Sequence, residues 1–169
     1  MDPTIQPVRR VVNASPTAVA EVLANGWLYA TWVVGASRIR GVDPRWPQAS
    51  SSIAHSVGLW PALLSDRTFS VAEDLPRRLE LRARALPVGQ ADVVITIEPV
   101  NRADQSLVSI AEDVASGPTR LTPKAVRQWL IRTRNVEALR RLAMLAEGRS
   151  AVHVDAQPDT AEGDAGSVT

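Results

Sequence analysis

Five β-type segments crowd into residues 51–114, and a single unbroken helical stretch follows at 123–147. The segments read "SSIAHSVGLW" (51–60), "RTFSVAED" (67–74), "RRLELRARA" (77–85), "ADVVITIEPV" (91–100) and "SLVSIAEDV" (106–114). The links between them, "PALLSD", "LP", "LPVGQ" and "NRADQ", are short and carry Pro, Gly, Asn or Asp. A parallel pair needs a crossover of about a dozen residues or more, so links this short demand antiparallel hairpins.

What precedes and follows the run completes the architecture. "IQPVRRVVN" (5–13) predicts a first strand, with Pro7 placing it near an edge or at a bulge. In "NASPTAVAEVL" Ser15 is the expected N-cap and Pro16 the first helical residue, with Gly26 as the stop. "WLYATWV" predicts a second helical turn, and "GASRIRGVD" a strand ending near Pro44. For the last helix Thr122 caps, Pro123 opens and Gly148 closes. Its apolar positions Val126, Trp129, Leu130, Val136, Leu139, Leu142, Ala143 and Ala146 form a stripe that drifts round the axis. Strands segregated from helices define an α+β class: a curved antiparallel sheet wrapped around a long C-terminal helix, with two short helices after the first strand.

Side chains alternate across a strand. In 77–85, Leu79, Leu81, Ala83 and Ala85 share one face, and Arg78, Glu80, Arg82 and Arg84 the other. The next strand sets Ala91, Val93, Ile95 and Ile97 against Asp92, Thr96 and Glu98. The arginine ladder therefore reads as a wet face with cross-strand Arg–Asp or Arg–Glu pairs. The dry face is more informative. Ala83, Ala85 and Ala91 stand where a filled core wants Leu or Phe, so a hollow opposite the long helix is expected. Parity also turns His55 inward with Ile53, Val57 and Leu59, and Glu112 inward with Val108, Ile110 and Val114. Buried polar groups need partners. These two would pair with each other or with a ligand. Trp60 and Trp129 are the aromatics expected at a pocket mouth. Arg127, Arg134 and Arg141 recur every seven residues on the helix, a solvated face or a contact for an anionic head group.

Several chemistries are excluded. The chain has 169 residues and no cysteine, so it holds neither disulfides nor a thiolate site, which suits a cytoplasmic location. His55 and His153 are its only histidines, too few for a metal constellation. "GQADVV" and "SGPTRL" lack a phosphate-binding pattern, and no G-x-S-x-G is present, so no cofactor and no serine hydrolase are expected. "MDPTIQPVRR" lacks the signal-peptide pattern, and no apolar run reaches the ~18 residues of a membrane span. Net charge is +1, and the body before Ser150 is only mildly basic, below what nucleic-acid binding calls for. "SAVHVDAQPDTAEGDAGSVT" (150–169) is small, polar and acidic and is expected to be a disordered tail behind one domain at 1–149.

The wording of several segments resembles the START-like, or SRPBCC, superfamily and its helix-grip fold. "VNASPTAVAEVLAN" resembles the passage from first strand to short helix. "HSVGLWPALLSDRTFSVAEDLPRRLELRARALPVGQADVVITIEP" resembles the mid-sheet of small bacterial members of polyketide cyclase/dehydrase type. "EDVASGPTRLTP" and "RNVEALRRLAMLAEGR" fit the approach to the closing helix and the helix itself. The likeness spans residues 4–149. It implies an apolar cavity between sheet and helix for a lipid, polyketide or other hydrophobic molecule, in a family of carriers, sensors and cyclases. It carries no shared catalytic set.

The expected partner is thus a hydrophobic small molecule. His55, Val57, Leu59, Trp60, Leu81, Ala83, Val93, Ile95, Ile110, Glu112 and Trp129 are its candidate contacts, with His55 and Glu112 orienting it. The alternative is a cyclase or aromatase in which His55 is the acid/base and Glu112 tunes its pKa.

Overall fold

The computed structural model describes residues 5–58, 63–85, 89–100, 104–116 and 123–155. Strand β1 (Val8–Val12) leads into helix α1 (Pro16–Ala24), a 3-10 turn (Gly26–Leu28) and the one-turn helix α2 (Tyr29–Trp32). Strands β2 (Ala36–Val42), β3 (Ser52–Val57), β4 (Leu64–Asp74), β5 (Arg78–Ala85), β6 (Gly89–Pro99) and β7 (Ser106–Ser116) follow, and helix α3 (Lys124–Asp155) closes the chain. The strands form one curved antiparallel sheet in the order β1-β7-β6-β5-β4-β3-β2, a helix-grip α+β fold. β1 is indeed an edge strand, paired only with β7.

Local chemistry explains the first helices. The Ser15 hydroxyl accepts from the Ala18 amide at 3.2 Å and Pro16 opens α1, a cap worth about 1 kcal/mol. Val19, Ala20, Val22 and Leu23 bury its inner face. Gly26 is required by proximity: a Cβ there would lie 2.6 Å from Val42 Cγ1 and 3.1 Å from Ile53 Cδ1.

Among the boundaries that differ from the sequence expectation, three have a clear cause. β4 begins at Leu64, because Leu64, Ser65 and Asp66 complete the ladder against Val57, Ser56 and His55. Backbone groups seek partners whatever the side chains are. β6 likewise begins at Gly89, opposite Ala85. α3 passes Gly148 and reaches Asp155. A helical glycine costs about 1 kcal/mol against alanine, too little to stop a helix on its own. Thr122, Leu59, Trp60 and residues 156–169 lie outside the described residues.

The wet face behaves as its alternation predicts. Arg82 stands opposite Asp92 in the register and donates to it at 2.7 Å. Arg78 instead reaches Glu80 on its own strand, and the Arg84 guanidinium lies 5.0 Å from the Phe69 ring centroid.

The interior is uneven from end to end. Val12, Val19, Val22, Leu79, Ile95, Ile97, Val108, Leu139 and Leu142 are all but fully enclosed. One rung along the sheet, Leu81 pairs with Val93 and Val93 with Glu112. A rung further, Ala83 pairs with Ala91 and Ala91 with Val114. Inward side chains shrink or turn polar toward that end, and there a cavity opens.

Candidate functional site

A cavity of about 300 Å³ lies between α2, the sheet from β3 to β7, and the N-terminal half of α3. Leu81, Ala83, Ala91, Val93, Ile110 and Ile131 supply much of its apolar wall. Alanine at 83 and 91 is what leaves the space, since larger side chains on those two adjoining strands would occupy it.

One wall is polar. His55 is 3 % exposed, and its Nε2 lies 3.0 Å from Thr68 Oγ1. The Tyr29 hydroxyl lies 2.8 Å from the same oxygen, and the Tyr29 and His55 rings sit 5.1 Å apart. Asp66 Oδ2 is 3.9 Å from His55 Nε2. His55 Nδ1 is buried with no hydrogen-bond partner. An orphaned acceptor costs less than an orphaned N–H, which favours the neutral tautomer with the proton on Nε2, donated to Thr68. Burial drives each group toward its neutral form. It lowers the His55 pKa, with the Arg40 charge adding to the effect; the Ser56 backbone opposes it without giving Nδ1 a hydrogen bond of normal geometry. It raises Asp66 to about 6, against the Arg67 amide and the Arg84 charge, and Tyr29 to about 12. At neutral pH the cluster therefore holds an uncharged imidazole beside an ionised carboxylate, with the phenol protonated.

The opposite wall carries Glu112. It is 6 % exposed and accepts a charge-assisted hydrogen bond from Arg134, which reaches down from α3. Removing Arg134, itself 43 % exposed, would leave the buried Glu112 carboxylate without its ion-pair partner.

Of the residues singled out from sequence, His55, Val57, Leu81, Ala83, Val93, Ile110 and Glu112 line this cavity. Leu59 and Trp60 lie outside the described residues. Two are placed elsewhere. Ile95 is fully buried in the core cluster with Leu79, Leu139 and Leu142, one rung deeper than the cavity floor. Trp129 is 65 % exposed and borders a second pocket on the other flank of α3. The expected pairing of His55 with Glu112 also fails: β4, β5 and β6 separate their strands, and each has a different partner, Thr68 and Asp66 for one, Arg134 for the other.

Tyr29, Asp66 and Thr68 were missed. In β4 the alternation misleads, because Phe69 and Val71 suggest the dry side. The structure buries Asp66, Thr68 and Ser70 and leaves Val71 exposed. Each inward polar group is matched locally: Ser70 donates to the Pro47 carbonyl at 2.7 Å, and Thr68 meets Tyr29 and His55. Only a run of three polar residues at alternate positions hinted at this.

The fold, a cupped sheet closed by a C-terminal helix, is shared with solved structures that include a START superfamily protein and an aromatase/cyclase. The START superfamily protein from Mycobacterium smegmatis matches with a TM-score of 0.59 at 16 % identity, over 88 % of this chain and 98 % of that one. The Zhui aromatase/cyclase from Streptomyces sp. R1128 matches at 0.63 and 20 % identity, over 86 % of this chain and 96 % of that one. Ara h 8.0201 matches at 0.57 and 10 % identity, over 88 % and 97 %. No family model and no curated protein matches the sequence.

Proposed function

We propose that this chain binds a hydrophobic small molecule, such as a lipid or polyketide, between sheet and helix without transforming it. One observation carries this reading: a cavity of about 300 Å³ with much of its wall Leu, Ile, Val and Ala, and polar groups gathered chiefly around His55 and around Glu112. Burying apolar ligand surface there is worth roughly 25 cal/mol per Å². His55 with Tyr29 on one wall, and Glu112 with Arg134 on the other, would orient the guest. The likeness of fold to a START superfamily protein and to Ara h 8.0201 adds support. Native mass spectrometry of gently purified protein, followed by titration with fatty acids and aromatic polyketides, is the test. Uptake of one ligand class at one-to-one stoichiometry is expected; no uptake of any class would overturn the reading.

A cyclase is the second reading, favoured by the Tyr29–Thr68–His55 chain ending beside Asp66 and by the likeness of fold to aromatase/cyclases. The tuning carboxylate in this version is Asp66, replacing Glu112. His55→Ala would then abolish turnover of a poly-β-keto chain while its binding persists. Unchanged turnover in that variant sinks the catalytic reading.

A further inference from the structure

The second pocket, about 340 Å³, lies on the far flank of α3, between that helix, β7 and the segment leading into β1. It is not independent of the first. Ile110, Glu112 and Val114 of β7 and Arg127, Ile131 and Asn135 of α3 line both. Three inward residues of one strand and three of the helix above it are thus a shared partition, with hollow space to either side.

Asn135 stands in that partition. It is 5 % exposed, borders both hollows, and its amide has no hydrogen-bond partner among the described residues. The amide's two donors and one acceptor open onto hollow space, unlike His55 Nδ1, the one unpartnered side-chain atom among the described residues that is fully enclosed. The neighbours of Asn135 on the same stripe, Ile131 and Ala138, offer nothing polar. The nearby charged pair of Glu112 and Arg134 is already satisfied within itself.

We infer that the two pockets are one through-going site beneath α3, and that Asn135 is a specificity residue within it. The ligand class follows: an elongated hydrocarbon chain that runs from the cavity past Asn135 into the second pocket, carrying a hydroxyl or carbonyl oxygen at the point where it passes the amide. A compact ring system confined to the first cavity would leave the amide unmet. This rests on the ligand-binding reading above and narrows it.

The test uses the full-length protein and two probe sets, read by displacement of a fluorescent fatty acid. With unbranched fatty acids of eight to eighteen carbons, affinity should climb by up to about fourfold per methylene. It should keep climbing in the wild type after it has levelled off in Gln6→Trp, which fills the second pocket. The ratio of long-chain to short-chain affinity should fall at least tenfold in that variant. With octadecanoic acids hydroxylated at successive carbons, one position should bind at least about fivefold tighter than the plain acid. That preference should collapse in Asn135→Leu, which keeps the bulk and removes the amide. Circular dichroism and an unfolding curve on both variants confirm that they fold. Should Asn135→Leu fail to fold, Asn135→Asp replaces it, and its hydroxyl-position profile must change. Wild-type binding with identical length and hydroxyl profiles in the variants overturns the passage and leaves the cavity reading standing. Absence of any wild-type binding removes both.

Discussion

Helix α3 is two different objects along its length. Its C-terminal half presents Leu139, Leu142, Ala143 and Ala146, each at most 1 % exposed, to β1, α1 and the closed end of the sheet. Glu147 also accepts from the Asn13 amide at 2.9 Å, tying that half to β1. Its N-terminal half turns Arg127, Ile131 and Asn135 inward over hollow space, while Val126, Trp129, Leu130 and Val136 are each at least 47 % exposed. One end of the molecule is packed for stability. The other is left under-packed, and an under-packed interior is a place for something else to bind. Because packing density sets the cost of removing or adding a methyl group, the same kind of substitution should have opposite consequences at the two ends.

The largest expected effect is at the closed end. Leu142→Ala should lower unfolding free energy by about 2–5 kcal/mol, measured by urea denaturation. Leu130→Ala, twelve residues earlier on the same helix, should cost less than about 1 kcal/mol. Equal losses would erase the distinction between the halves.

The converse substitution sharpens it. Ala91→Phe fills the cavity and should weaken ligand binding at least tenfold, yet move stability by no more than about 1 kcal/mol in either direction. In a solid core the same change would be heavily destabilising. A large loss of stability with ligand binding intact would mean that the open end is already filled.

Asp66 gives a smaller effect with a definite sign. Its pKa of about 6 lies above the 3.8 of an exposed aspartate, so the folded state holds the proton more tightly than the unfolded one. That stabilisation is present below about pH 4 and is lost as pH rises through about 6. Asp66→Asn should therefore gain on the wild type across that interval, by on the order of 1 kcal/mol, and hold a constant lead above it. His55, whose pKa burial lowers, acts in the opposite direction. A lead that is flat from pH 4 to 7 would show that Asp66 is not buried in its charged form.

The smallest expected effect comes from the wet face. Arg82→Ala breaks the ion pair with Asp92 on the outside of the strand whose inside is Leu81 and Ala83. It should leave both the urea midpoint and ligand affinity close to wild type, with any difference vanishing in high salt. A marked loss of affinity would mean that the two faces of β5 are coupled.

The fold was legible because it is written in local, periodic signals. Short links between alternating segments force hairpins, Ser15 and Pro16 announce a helix, and the parity of β3 and β7 turns His55 and Glu112 inward. The misreadings are also local. On α3 the inward stripe is Arg127, Ile131, Asn135, Ala138, Leu142 and Ala146, spaced as one helical face. Two polar members disguise it, and Val126, Trp129 and Val136 advertise a different face. On β4 the polar residues are inside because Tyr29, Pro47 and His55 are there to receive them.

Sequence alone settled the order of elements, their antiparallel pairing and which residues of most strands face inward, since each depends on spacing along the chain. Only the tertiary structure decided which inward groups meet. Asp66 rather than Glu112 lies beside His55, Arg134 covers Glu112, and Asn135 is left without a partner over a hollow. Those outcomes depend on the curvature of the sheet and on where a helix lands across it, sums of many weak contacts between residues distant in the chain that no short stretch encodes.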